Sequence, residues 1–192
     1  MESVLISARP KWCWKICHEI GKDENSKPIY EKRIEVRKTA PKEVPFKGYI
    51  YCSYGNDKEN YMLGSRGKVV GEFICDEVKE FHEWELSPQG KFAEFEEEQL
   101  EKFLSATCLS IAEVVRYREN LPYYKPLYGW HISDLKIYDK PKELSEFIKA
   151  CHYTDGSYCL GGKCEHYDDY SGKCCCVVKR PPQSWCYVEE LK

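Results

Sequence analysis

Glu31-Lys32-Arg33-Ile34-Glu35-Val36-Arg37 is a run in which apolar and charged side chains alternate. Successive side chains of an extended strand point to opposite faces. Ile34 and Val36 therefore fall on one face, and Arg33, Glu35 and Arg37 on the other. A strand drawn over residues 30–38 puts Lys32 opposite Glu35 and Arg37. A carboxylate between two guanidinium groups is held ionised and fixed in position. That suits a base or a hydrogen-bonding group, or a salt-bridge ladder on a solvated sheet face.

Upstream, residues 3–8 read as a short strand ending at Arg9-Pro10. A helix follows, because Pro10 suits a first helical turn and Trp12, Cys13, Ile16, Cys17 and Ile20 share a face. Gly21 closes it, and the polar stretch from Gly21 to Pro28 reads as an exposed loop. Downstream, beyond a linker with Pro41 and Pro45, residues 48–53 and 68–76 are Tyr-, Ile-, Val- and Phe-rich strands. Gly71 inside the second marks a bulge or bend.

From Glu77 to Glu101 the chain is acidic, with Leu100, Phe103 and Leu104 forming one narrow apolar stripe of a helix. Ser110 and Glu113 predict a capping box, with Val114 and Val115 facing inward. Residues 128–138 return to strand, 143–151 to a short helix, and 185–191 to a closing strand. No internal repeat is present. The sum is an α+β chain with five or six mainly antiparallel strands, read as a small barrel with helices at its ends.

The 192 residues suffice for one domain plus an appendage. A hydrophobic content of 42% and an aromatic content of 14% exclude wholesale disorder. A net charge of -3 gives no global attraction to nucleic acid, so any such binding needs a local basic patch. Between Arg9 and Lys47 there are eleven Lys or Arg against six Asp or Glu, interleaved with Trp12, Trp14, Tyr30, Tyr49, Tyr51 and Tyr54 on or near that stretch. Cations neutralise phosphates and rings stack on bases, so this mixture suits single-stranded nucleic acid or nucleotides. Trp14 lies off the apolar stripe of its helix, as an exposed ring or one packed under a neighbouring loop. The N-terminus lacks the apolar run of a signal peptide and no stretch is long enough to span a membrane, so the expected location is cytoplasmic.

The order of these elements resembles the ASCH domains, a branch of the PUA-like superfamily. The resemblance rests on the strand, Pro-containing turn and Trp12 helix, on residues 31–37, on Gly67-Lys68-Val69-Val70-Gly71-Glu72-Phe73, and on Tyr128-Gly129-Trp130-His131-Ile132. The family signature is Gly-x-Lys-x-x-Glu-x-Arg. Lys32, Glu35 and Arg37 match it, and Tyr30 stands where the glycine would be. The resemblance covers residues 3–148. It implies a mixed or antiparallel PUA-like β-barrel with flanking helices, as a domain over residues 1–148, and a cleft suited to RNA or a modified nucleoside. Lys32 and the Glu35–Arg37 pair would line that cleft, and for all three to do so the strand must start after Lys32 or contain a bulge.

Lys32, Arg33, Glu35, Arg37, Trp14 and His131 are the candidate binding residues on this reading. His131 points opposite Trp130 and is either a cleft acid–base group or hydrogen-bonded structure. The alternative is catalysis, as a small amidohydrolase on acylated pyrimidine nucleosides or a ribonuclease, with Lys32 and Glu35 as catalytic candidates. The amidohydrolases of this family use Lys, Thr and Glu. Lys32 matches the lysine, but Glu35 occupies the place of the threonine. The second acid falls among Glu72, Glu77, Glu80 and Glu83. Binding is therefore favoured over turnover.

Residues 149–192 form a Cys-rich tail packing on the same domain, with seven of the twelve cysteines. A disulfide framework is not expected in the cytosol. Cys151, Cys159, Cys164 and one of Cys174 to Cys176, Cys174 first, are read as zinc ligands, with His166 and Cys186 as alternates. Such a site orders a segment with few apolar residues of its own. An iron–sulfur cluster would draw on the same thiolates, and free or oxidised thiols are the metal-free reading. Cys13, Cys17, Cys52 and Cys75 read as buried structural thiols.

Overall fold

The computed structural model describes residues 1–55, 61–82, 93–122, 124–150 and 177–191, together with the backbone of 167–168 and 173–174; of residues 93–99 only the backbone is described. β1 (Ser3–Ala8) is apolar on both faces and is buried along nearly its whole length. It pairs in parallel with β5 (Phe46–Cys52) on one side and antiparallel with the short C-terminal β12 (Trp185–Tyr187) on the other. β6 (Lys68–Cys75) and β9 (Ser133–Glu143) complete a five-stranded sheet of order β12-β1-β5-β6-β9. The closing strand expected at the C-terminus is thus present, at the sheet edge beside the first strand.

A three-stranded antiparallel sheet of order β4-β8-β7 is made by β4 (Ile34–Arg37), β8 (Leu127–His131) and β7 (Val78–Phe81). The two sheets share chain. β6 passes into β7 through Asp76 and Glu77, and β8 into β9 through Ile132, whose amide donates to the Arg33 carbonyl at 2.9 Å. Between the sheets lie Val4, Ile6, Ile50, Phe73 and Trp130, with Cys13 and Ile16 of α1 (Pro10–Cys17). Leu5, Tyr49 and Tyr51 point to the far face of the large sheet, where Phe147, Val178 and Val188 cover them. Val36 and Leu127 of the small sheet pack on Phe103 of α2 (Ala93–Thr107) and Val114 of α3 (Ile111–Arg118).

Several sequence expectations need correction. Among the described residues the strands do not close into a barrel. Backbone pairing stops between β4 and the β1–β12 edge, and side chains span that gap. α1 ends at Cys17, not at Gly21, because the Lys15 and His18 carbonyls accept from the amides of Lys32 and Glu31. The expected loop after it contains a hairpin of β2 (Glu19–Lys22) and β3 (Pro28–Tyr30), turned by Asp23, whose side chain accepts from the Asn25 and Lys27 amides at 2.8 Å. The acidic stretch contributes a strand, β7, before α2 begins. In α3 the capping box is present in full, but Val114 is buried and Val115 exposed. The helix expected over 143–151 is a single 3-10 turn at Leu144–Glu146, after which Phe147 anchors in the core.

Gly71 sits at a register irregularity opposite both neighbours: Ile50 pairs with Gly71 while Tyr51 pairs with Val69. A Cβ there would lie 2.6 Å from the Lys136 carbonyl oxygen, a backbone atom that cannot swing aside. Gly71→Ala is expected to lower stability by about 1–3 kcal/mol, read as a shifted urea midpoint at unchanged slope.

Candidate functional site: a cleft at the open seam

β4 begins at Ile34, so Lys32 precedes the strand and is freed from its alternation. That meets the condition set by the sequence: Lys32, Glu35 and Arg37 line one cleft of about 660 Å³. All three side chains are buried, Lys32 to 2% exposure. The Lys32 ammonium donates to the carbonyls of Ile34 and Thr107, both at 2.8 Å, and pairs with Glu35 Oε2 at 3.3 Å. Its three N–H bonds therefore have three partners. Burial pulls the Lys32 pKa below its ordinary value, and the Glu35 carboxylate opposes that pull.

Arg37 completes the array. One terminal nitrogen, Nη2, meets Glu35 Oε1 at 2.8 Å and donates to the Ser7 carbonyl at 3.0 Å. The other donates to the Ser184 carbonyl at 3.0 Å and its hydroxyl at 3.3 Å. The Ser184 carbonyl also accepts from the Ser7 amide at 2.9 Å, extending the β1–β12 ladder. Where β4 would have to pair to close a barrel, the guanidinium makes the connection instead. The opening left beside it is the cleft.

The cleft walls come from four places. Ser7, Arg9 and Trp12 come from the end of β1 and the start of α1; Glu113, Arg116 and Tyr117 belong to α3; Pro181–Ser184 precede β12; and Lys32, Glu35, Val36 and Arg37 form the floor. The lining carries four cations and two carboxylates, so the cleft is positive although the chain is negative. Glu113 is engaged by the Ser110 amide at 2.9 Å and by Lys11 at 3.5 Å. The first of these holds its carboxyl below the usual range against the effect of burial.

The other candidates lie elsewhere. Arg33 is exposed beside β4, off the cleft lining. Trp14 stacks on His18 at 4.1 Å and packs near Tyr61 at 5.2 Å, away from the cleft. His131 Nδ1 lies 2.6 Å from Asp76 Oδ1 at the corner between the sheets. Of the second-acid candidates, Glu72 is bonded by the Tyr138 hydroxyl at 2.6 Å, and Glu77 and Glu80 have exposed side chains paired with Lys79 and His82. None of these three lines the cleft, and Glu83 lies outside the described residues. Tyr30, at the position of the signature glycine, ends β3 opposite Glu19 without a left-handed backbone.

Cys151, Cys159 and Cys164 lie outside the described residues, as do the alternates His166, Cys175 and Cys176. Cys174 is described only as backbone in β11 (Lys173–Cys174), which pairs with β10 (Tyr167–Asp168). Cys186 is half-buried in β12 against the second core cluster. Cys13, Cys52 and Cys75 are buried, and burial pushes the Cys17 and Cys75 thiols up to about 12. No helix among the described residues is long and apolar enough to cross a membrane.

No family model and no curated protein matches the chain. Solved structures do. A crystal structure of ASCH from Zymomonas mobilis is similar over 98% of this chain and 88% of that chain, with a TM-score of 0.51 at 12% identity. A mutant of the same protein gives 0.52 over 99% and 92%, also at 12%. The chain has an ASCH-like fold, as its sequence motifs implied, built as two open sheets.

Glu35→Gln leaves two buried cations without their shared counter-charge. It is expected to cost about 3 kcal/mol or more, seen as a lowered thermal midpoint. Arg33→Gln, on an exposed side chain, is expected to stay within about 0.5 kcal/mol of wild type.

Proposed function

We propose that the cleft binds single-stranded RNA or a modified nucleoside. The observation that carries this reading is the lining: an excess of cations around a floor of paired charges, with Trp12 and Tyr117 supplying aromatic surface. A volume of about 660 Å³ falls within the roughly 300–1,000 Å³ of small-ligand pockets. Cations that neutralise phosphates and rings that stack on bases are the two ingredients of sequence-tolerant single-strand binding.

The hydrolase alternative draws on the lowered pKa of Lys32, which a lysine base requires. Against it stands the engagement of all three Lys32 protons by two carbonyls and Glu35. A base would have to give up one of those contacts before acting.

Fluorescence anisotropy with a labelled single-stranded oligoribonucleotide is expected to show affinity that falls as salt rises. Tyr117→Ala, at an exposed ring, is expected to weaken it about tenfold, in line with roughly 1–3 kcal/mol per stacked base. The oligonucleotide is expected to remain intact. Absence of binding by the wild type at low salt would overturn the reading. Acetate release from N4-acetylcytidine, lost in Lys32→Ala, would install the hydrolase in its place.

The zinc reading of Cys151, Cys159, Cys164 and Cys174 belongs with this proposal as a stabilising element of the tail. Metal analysis of the purified protein is expected to find zinc near one equivalent, removable by chelator. A tail that is metal-free as purified and takes up no added zinc would overturn it.

A further inference from the structure

The two deepest cations of the cleft have little to offer a ligand. Each N–H of the Lys32 ammonium has a partner within the protein. The terminal nitrogens of Arg37 hold Glu35, Ser7 and Ser184, and its Nε, which has no hydrogen-bond partner among the described residues, is buried out of a ligand's reach. A phosphate arriving at the floor would have to compete with four established contacts to the guanidinium.

Arg9 and Arg116 are differently placed. Both are exposed, both line the same cleft, and among the described residues neither guanidinium forms an ion pair or hydrogen bond. The Lys11–Glu113 ion pair at 3.5 Å ties the start of α1 to α3. Arg9 stands two residues before Lys11, and Arg116 stands three residues after Glu113, one helical turn along α3. Glu113, the carboxylate that lines the cleft with them above the Glu35 floor, is already taken up by Lys11 and Ser110.

We infer that Arg9 and Arg116 are the phosphate anchors of the cleft, and that the Lys32–Glu35–Arg37 array is its scaffold. The ligand class is a nucleotide chain that presents phosphate to two forked guanidinium groups at the rim. The assignment rests on the nucleic-acid reading of the cleft and adds to it which cations meet the backbone.

The test uses the full chain and one single-stranded oligoribonucleotide, with binding measured across a salt series. Arg9→Gln and Arg116→Gln are each expected to weaken binding about fivefold or more near 0.1 M salt. Each is expected to flatten the slope of log affinity against log salt by about 0.7, the contribution of one phosphate contact on a single strand. Thermal midpoints should match wild type, because both side chains are exposed. Arg33→Gln, an exposed arginine off the cleft, should keep wild-type affinity and slope. Wild-type affinity and slope in both cleft variants would overturn the inference while leaving the cleft reading standing on its sensitivity to Tyr117→Ala. An equal loss in Arg33→Gln would also overturn it, by showing a general charge effect. If the wild type binds no RNA, both readings fall.

Discussion

Glu35 faces two cations, Lys32 and Arg37, and its carboxylate is what allows both to sit away from water. Each buried ion carries an effective desolvation penalty of several kcal/mol, which only good geometry and further hydrogen bonds offset. Here those bonds come from backbone carbonyls: Ile34 and Thr107 for Lys32, Ser7 and Ser184 for Arg37. The array therefore ties β4 to the end of α2 on one side and to β1 and the C-terminal segment on the other. Its partners span residues 7 to 184, so the charge pairs hold together segments that no continuous ladder joins.

That arrangement explains why the sheets stay open. A closed ladder between β4 and the β1–β12 edge would fill the seam with backbone hydrogen bonds. A guanidinium spans the same gap with a few directed bonds and leaves room beside it for α1, α3 and residues 181–184 to wall a cleft. The apolar packing on both faces of β1 and on the outer face of β4 fixes the three walls relative to one another. What those walls expose at the rim is aromatic rings and guanidinium groups that have no partner among the described residues, above paired charges at the base.

Much of this was legible in local pattern. β1, β5 and β6 show as apolar runs, the Ser110–Glu113 capping box as a four-residue spacing, and β4 as alternation. For Lys32 the sequence left two ways into the cleft, a late strand start or a bulge, and β4 takes the first by beginning at Ile34. What could not be read depended on distant partners. Ser184 meets Arg37 across 147 positions, and nothing in Pro181–Ser184 marks it as a cleft wall. β2 and β3 are only four and three residues long, too short to show the apolar period that signals a strand. β7 is hidden in an acidic run because only its pairing with β8 makes it a strand. Arg9, Arg116 and Tyr117 look like ordinary surface residues until α1 and α3 are brought together by Lys11 and Glu113.

The central claim is that Arg37 is a structural tie whose terminal nitrogens are already engaged by the protein before any ligand arrives. Nitrogen-15 NMR of the arginine side chains, followed while a single-stranded oligoribonucleotide is added, tests it directly. The account predicts slow exchange of the Arg37 guanidinium protons with water in the free protein, unchanged on titration, while Arg9 and Arg116 resonances move. Rapid exchange of Arg37 in the free protein, with protection gained only when RNA is added, would contradict it.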